Sequence, residues 1–147
     1  SSVERTRGAD DESLLESSRA RVRRMLACGT TSLEIKSGYG LDLATEQRQL
    51  RVARQLGAQE GVLVHTTCLS AHALPAEARK SPTGRNDYVR SIIDVILPAL
   101  AAESLADSCD VFCDRGAFEV EEARAILLRA RELGMGLRLH ANELGHT

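Results

Sequence analysis

Two hydrophobic periods alternate along this chain. From Ser13, Leu14, Leu15, Ser18, Val22, Met25 and Leu26 fall at the spacing of one helical face, which leaves Arg19, Arg21, Arg23 and Arg24 for solvent. Gly29 supplies a left-handed stop, and residues 31–36 switch to strict alternation, with Leu33 and Ile35 on one side and Glu34 and Lys36 on the other. The succession then repeats. Asp42 is placed to cap a helix carrying Leu43, Leu50, Ala53 and Leu56, which Gly57 is expected to end. A second strand is predicted over 61–69, followed by a surface loop over 76–86 with Lys80, Pro82, Gly84 and Asn86. The next helix places Ile92, Ile93, Ile96, Leu97 and Leu100 on one face, and Pro98 inside that stripe predicts a kink or an early loss of regular hydrogen bonding. A strand over 109–114 leads to a helix carrying Val120, Ala123, Leu127 and Ala130, whose positive start is complemented by Glu119, Glu121 and Glu122. Gly134 stops it, and a last strand spans 137–140. Residues 1–12 have no periodicity and read as a loop or frayed lead-in.

A helix, three strand-helix units and a closing strand imply parallel strands joined by right-handed crossovers. A doubly wound sheet, covered by helices on both faces, calls for near-continuous aliphatic strands. Three of these strands instead alternate with polar residues, namely Glu34 and Lys36, Asp110 and Asp114, and Arg138 and His140. Polar inward positions suit a (β/α)8 barrel, where the upper layer of the interior forms a site. Such barrels typically take about 250 residues, so 147 residues with four strands make roughly half of one. The expected fold is α/β, a partial (β/α)8 TIM barrel, with residues 1–147 as one incomplete barrel domain. A first residue that is Ser, and an end within a loop, fit a piece of a longer protein.

Composition narrows the partner. At 43% hydrophobic residues the chain has enough apolar side chains for one core, and a formal charge of −2 gives no field for nucleic acid or an anionic membrane. No apolar run approaches the roughly 18 residues of a membrane span, and the polar opening is no secretory signal, so a cytoplasmic protein with a small-molecule partner is expected. Cys28, Cys68, Cys109 and Cys113 are too sparse for a disulfide scaffold and read as buried reduced thiols. No Gly-rich phosphate loop and no GxSxG elbow is present.

Candidate chemistry gathers at strand ends. His140 closes the last strand and Glu143 lies three residues on, a pattern for a metal-ligating imidazole beside a proton-handling carboxylate, or for a structural histidine beside a surface glutamate. His72, between Ala71 and Ala73, follows the second strand and is open to the same two readings. Tyr39 stands between Gly38 and Gly40, which allow a tight turn that brings a phenol to a rim, or packs it on the next helix. Lys36 would neutralise an anion or pair with Glu34 or Asp114. His65 and His146 receive no role.

Four blocks carry a resemblance: Glu34-Ile35-Lys36-Ser37-Gly38-Tyr39-Gly40-Leu41, Leu69-Ser70-Ala71-His72-Ala73-Leu74-Pro75, Asp110-Val111-Phe112-Cys113-Asp114, and Leu139-His140-Ala141-Asn142-Glu143. Together they resemble the imidazolonepropionases of the amidohydrolase superfamily, from about Thr30 to Glu143. The resemblance implies a metal-dependent barrel hydrolase of histidine degradation, which opens 4-imidazolone-5-propanoate to N-formimidoyl-L-glutamate with a metal-activated water. It implies His140 as a ligand of one zinc or iron ion, Glu143 as a catalytic and substrate-contacting residue, and Tyr39 and His72 as substrate-binding residues. It also leaves room for a homodimer of the full-length enzyme. The His-x-His pair of the family's first barrel strand and its later histidine and aspartate do not occur here, which assigns these strands as about the second to fifth of eight. One imidazole cannot hold a catalytic zinc, which takes about three protein ligands, so the piece alone is expected to be inactive. The rivals are another amidohydrolase, such as a cyclic amidase or deaminase, and a non-catalytic half-barrel binding module.

Overall fold

The computed structural model describes residues 2–145, so His146 lies outside the described residues. The chain opens not on a loop but on a helix, Ser2–Gly8 (α1), followed by Asp11–Ala27 (α2). Tertiary contacts supply what local periodicity lacks: Arg48 donates to the last carbonyls of α1, at 3.0 Å on Thr6 and 3.1 Å on Arg7. Asp10 caps α2 by accepting from the Ser13 N–H at 2.7 Å. The expected apolar stripe on α2 is only partly used. Val22 is buried, whereas Met25 is 48% exposed, and Arg19 and the still exposed Arg23 pair with Glu60.

The sheet then builds in order. Strand Ser32–Lys36 (β1) precedes helix Leu43–Glu60 (α3), capped by Asp42, and strand Leu63–Ala71 (β2) takes in Ser70 and Ala71, expected as loop. Gly57 does not end α3. The helix runs on to Glu60 and stops at Gly61, whose φ is +65°, while a Cβ on Gly57 would meet Val64 Cγ2 at 2.8 Å. Gly57 is there so that helix and strand can approach. The expected surface loop holds a 3₁₀ turn, Ala78–Lys80, and the next helix begins at Gly84. That helix has three parts: Gly84–Ser91 (α4), a π segment Ile92–Ile96, and Leu97–Ala102 (α5). Pro98 sits in the first turn of α5, and the wider π turn before it absorbs the ring, as the sequence predicts. Strand Ser108–Cys113 (β3), helix Val120–Glu132 (α6), started by a capping box of Glu119 and Glu122, and strand Gly136–Ala141 (β4) complete the chain.

The four strands are parallel in the order β1-β2-β3-β4. The aliphatic side chains of β1 point to the helix side. Leu33 and Ile35 pack on the cluster of Val22, Ala53, Leu56, Val62 and Val64, and Cys68, Cys109 and Val111 join the main core with Leu50, Ile92, Ile96 and Ile126. Among the cysteines, Cys68, Cys109 and Cys113 are buried and free as expected, but Cys28 is exposed. The other face carries Glu34, Lys36, Thr67, Asp110, Arg138 and His140. Arg138 of β4 lies 2.9 Å from Glu34 of β1, although a flat sheet would set these edge strands about 14 Å apart. The sheet is therefore curled toward its polar face, as in part of a β/α barrel. Among the described residues, no helix is long and apolar enough to cross a membrane.

Candidate active site on the concave face

Strict alternation along β2 would send His72 to the helix side with Thr66, Cys68 and Ser70. A register shift prevents this: Cys68 pairs with Cys109 but Ala71 with Val111, so one extra residue sits in β2. The bulge puts Ala71 in the core and turns His72 onto the concave face. There its ring centroid lies 4.9 Å from that of His140 and 5.9 Å from that of Phe112. Strand register does the rest, pairing Asp110 with Arg138 and Phe112 with His140.

Asp110 is the hub of this cluster. Its side chain is fully buried, with Oδ2 accepting from Lys36 Nζ at 2.6 Å and Oδ1 accepting from His140 Nδ1 at 2.9 Å. A carboxylate only accepts, so His140 Nδ1 carries a hydrogen, and in the neutral ring the lone pair is then on Nε2. His72 Nε2 comes within 3.3 Å of the same Oδ1 without hydrogen-bond geometry, and this buried nitrogen has no hydrogen-bond partner. Burial pushes the Asp110 carboxyl up, but the hydrogen bonds from Lys36 and His140 and the nearby His72 outweigh it and hold the carboxyl below the usual range. Burial pushes His72 down, against the pull of Asp110, which favours a neutral ring. Lys36 thus pairs with Asp110, and more loosely with Glu34 at 4.0 Å; Asp114, the other partner open to it in the sequence, is used elsewhere. His72, Asp110 and His140 bring one donor atom each within 4.8 Å of one another, a donor set of the kind that takes a transition metal.

Tyr39 and Glu143 stand at the rim. Neither is joined to the two imidazoles by a hydrogen bond or ring contact among the described residues. Tyr39 follows β1 with a φ of 58° and is 44% exposed. Glu143 follows β4 with an exposed side chain, and its backbone N–H donates to Asp114 Oδ2 at 2.8 Å. The Leu144 N–H donates to the same oxygen at 2.8 Å, so a carboxylate at the end of β3 fixes the turn that carries Glu143. These N–H donors hold the Asp114 carboxyl below its usual range. Sequence reading places Asp110 and Asp114 inward but gives neither this work; the signal available was an aspartate closing a strand beside one that ends in histidine. His65 bonds Ser108 at 2.8 Å at the opposite end of the strands, in keeping with no role at the rim.

Sequence comparison finds one group of similar proteins. The chain is 48% identical over 145 residues to an imidazolonepropionase of Pseudomonas entomophila, 48% to one of Pseudomonas putida and 49% to one of Pseudomonas paraeruginosa. Along nearly its whole length the chain is similar to a segment of the imidazolonepropionases. The match takes in 98% of this chain but only 35% of each relative, so the chain spans about a third of the length of the imidazolonepropionases it matches. No protein-family model matches the chain. The concave face described above lies wholly within the segment shared with these imidazolonepropionases.

Proposed function

We propose that this chain is an internal segment of an imidazolonepropionase, a partial barrel domain that supplies the substrate side of the active site. The observation that carries this reading is the convergence of His72 and His140 on one buried carboxylate at the C-terminal ends of curled parallel strands, where barrel enzymes hold their sites. The reaction is hydrolysis of 4-imidazolone-5-propanoate to N-formimidoyl-L-glutamate, in the cytoplasm.

The residues present fit a metal in one respect: Asp110 holds the proton of His140 on Nδ1, which leaves Nε2 as a ligand for zinc or iron. When bound, such an ion would lower the pKa of water to about 7 and polarise a carbonyl. Of the other donors in the cluster, Asp110 already accepts from Lys36 and His140 through its two oxygens, so an ion held by His140 would take most of its roughly three protein ligands from parts of the enzyme outside this segment. His72, kept neutral by burial, offers the ring nitrogen without a hydrogen-bond partner to a polar group of the substrate. Tyr39 contacts the substrate from the rim. Glu143, its backbone fixed by Asp114, holds the proton delivered to the leaving ring nitrogen. Homodimerisation belongs to the longer enzyme and is read from size-exclusion chromatography of that protein.

Substrate screening of the longer enzyme tests the reading. Imidazolonepropionate is expected as the preferred substrate, with Tyr39→Phe and His72→Ala raising KM. Preference for a cyclic amide or an aminated heterocycle, untouched by either change, would assign the segment to another amidohydrolase. The 147-residue chain alone, supplied with zinc or iron, is expected to turn over no imidazolonepropionate.

A further inference from the structure

The loop that carries Tyr39 is held in a conformation that its own residues disfavour. Tyr39 and Leu41 both adopt left-handed backbone, with φ of 58° and 57°, a region that non-glycine residues enter only when their surroundings compel it. Side chains from two helices supply the compulsion. Gln49 of α3 accepts from the Gly38 N–H at 3.0 Å and donates to the Gly38 carbonyl at 3.1 Å, so one amide clasps one peptide residue from both sides. Glu46, one helical turn earlier on the same face, is fully buried and accepts from the Leu41 N–H at 2.9 Å. Arg7 of α1 donates to the Gly40 carbonyl at 2.8 Å. Gly40 is required for the fit, because a Cβ there would lie 2.5 Å from Thr45 Cγ2. Leu41 is tucked into the core, and the half-exposed Tyr39 phenol makes no hydrogen bond among the described residues.

We propose that Gln49 and Glu46 are positioning residues that lock the 38–41 loop so that Tyr39 is presented to substrate in a single orientation. The proposal rests on the reading of Tyr39 as a substrate-binding residue. Nothing in the loop sequence itself holds this geometry; α3 does, through two residues spaced as neighbours on one helix face. Burial raises the Glu46 carboxyl and so favours its neutral form, whose carbonyl oxygen still accepts from the Leu41 N–H. A preorganised loop spares the cost of ordering it when substrate arrives, so its loss is read in substrate binding ahead of the chemical step.

The test is a double-mutant cycle in the full-length enzyme that contains this segment. Gln49→Ala is expected to raise KM for imidazolonepropionate about tenfold with kcat within about twofold, the effect of freeing two backbone partners. Tyr39→Ala is expected to raise KM similarly, and the double variant to be no worse than Tyr39→Ala alone. Additive increases in KM, or no increase for Gln49→Ala, would overturn the proposal. Amide hydrogen exchange of the same proteins separates a loosened loop from a loosened fold. Gln49→Ala is expected to lose protection at Gly38 and Leu41 while Val111 in β3 keeps its own, and uniform loss would mean a merely structural role. Gln49→Glu, which keeps the acceptor for the Gly38 N–H, is expected to recover most of the protection. If Gly38 loses protection while Tyr39→Ala leaves KM unchanged, the clamp stands but Tyr39 does not bind substrate, and the functional half of the proposal falls.

Discussion

Replacing Asp110 by Asn removes one charge at the point where three strands meet, while keeping the shape of the side chain. Asp110 is inaccessible to solvent and receives Lys36 Nζ at 2.6 Å and His140 Nδ1 at 2.9 Å. Breaking a wholly buried ion pair costs about 3–5 kcal/mol. Lys36 keeps 31% of its side chain in water and has Glu34 at 4.0 Å as a second partner, so solvent and Glu34 reduce the loss to about 2 kcal/mol. The amide also turns N–H donors toward Lys36 or His140, which are donors themselves. Urea unfolding at neutral pH is expected to show that loss with an unchanged m-value. The pH dependence follows from the sign of the perturbation. A carboxyl held below its ordinary 3.8 stabilises the fold fully above that pH and loses its contribution as pH falls through the folded value. The gap between the wild type and Asp110→Asn should therefore be full at pH 5 and shrink toward pH 3. A gap below about 0.5 kcal/mol at neutral pH, or one that is constant between pH 5 and pH 3, would refute the ion-pair account of the hub.

Gly57→Ala is expected to destabilise the chain by about 1–3 kcal/mol in the same unfolding assay, because the new methyl would sit 2.8 Å from Val64 Cγ2; a neutral result would mean that α3 can shift on β2. Asp114→Ala should release the amides of Glu143 and Leu144 to fast hydrogen exchange while the β3 amides stay protected, and unchanged exchange would show that the turn holds itself. Glu46 has a raised carboxyl, so its contribution is largest below its ordinary 4.5 and is lost as pH rises toward the folded value. Glu46→Gln, which cannot titrate, should gain on the wild type between pH 4.5 and pH 7, and equal slopes would show that Glu46 is not perturbed.

Much of the fold was legible because burial and alternation coincide. Leu33 and Ile35 against Glu34 and Lys36 already state that one face meets helices and the other does not, and Pro98 already states where the helix must loosen. Failures came where distant residues decide local structure. Ser2–Gly8 is helical through Arg48, forty residues away in sequence, and Gly57 is read as a stop because a glycine needed for close approach resembles one needed for a left-handed turn. In the site, strand ends named His140, His72, Tyr39 and Glu143, but not how they are held. The bulge in β2 has no glycine or proline to announce it, yet it decides which face His72 occupies. Asp110, Asp114, Glu46 and Gln49 act through contacts 5 to 74 residues distant in sequence, beyond the reach of periodicity.

Turnover of 4-imidazolone-5-propanoate by the full-length protein that contains this segment, compared between His140→Ala and His65→Ala, bears most directly on the proposal that the concave face is part of an imidazolonepropionase site. His140→Ala is expected to lose at least about 100-fold in kcat, whereas His65→Ala, bonded to Ser108 at the far end of the strands, is expected to stay within about twofold. Equal effects of the two changes, or full turnover by His140→Ala, would contradict the account.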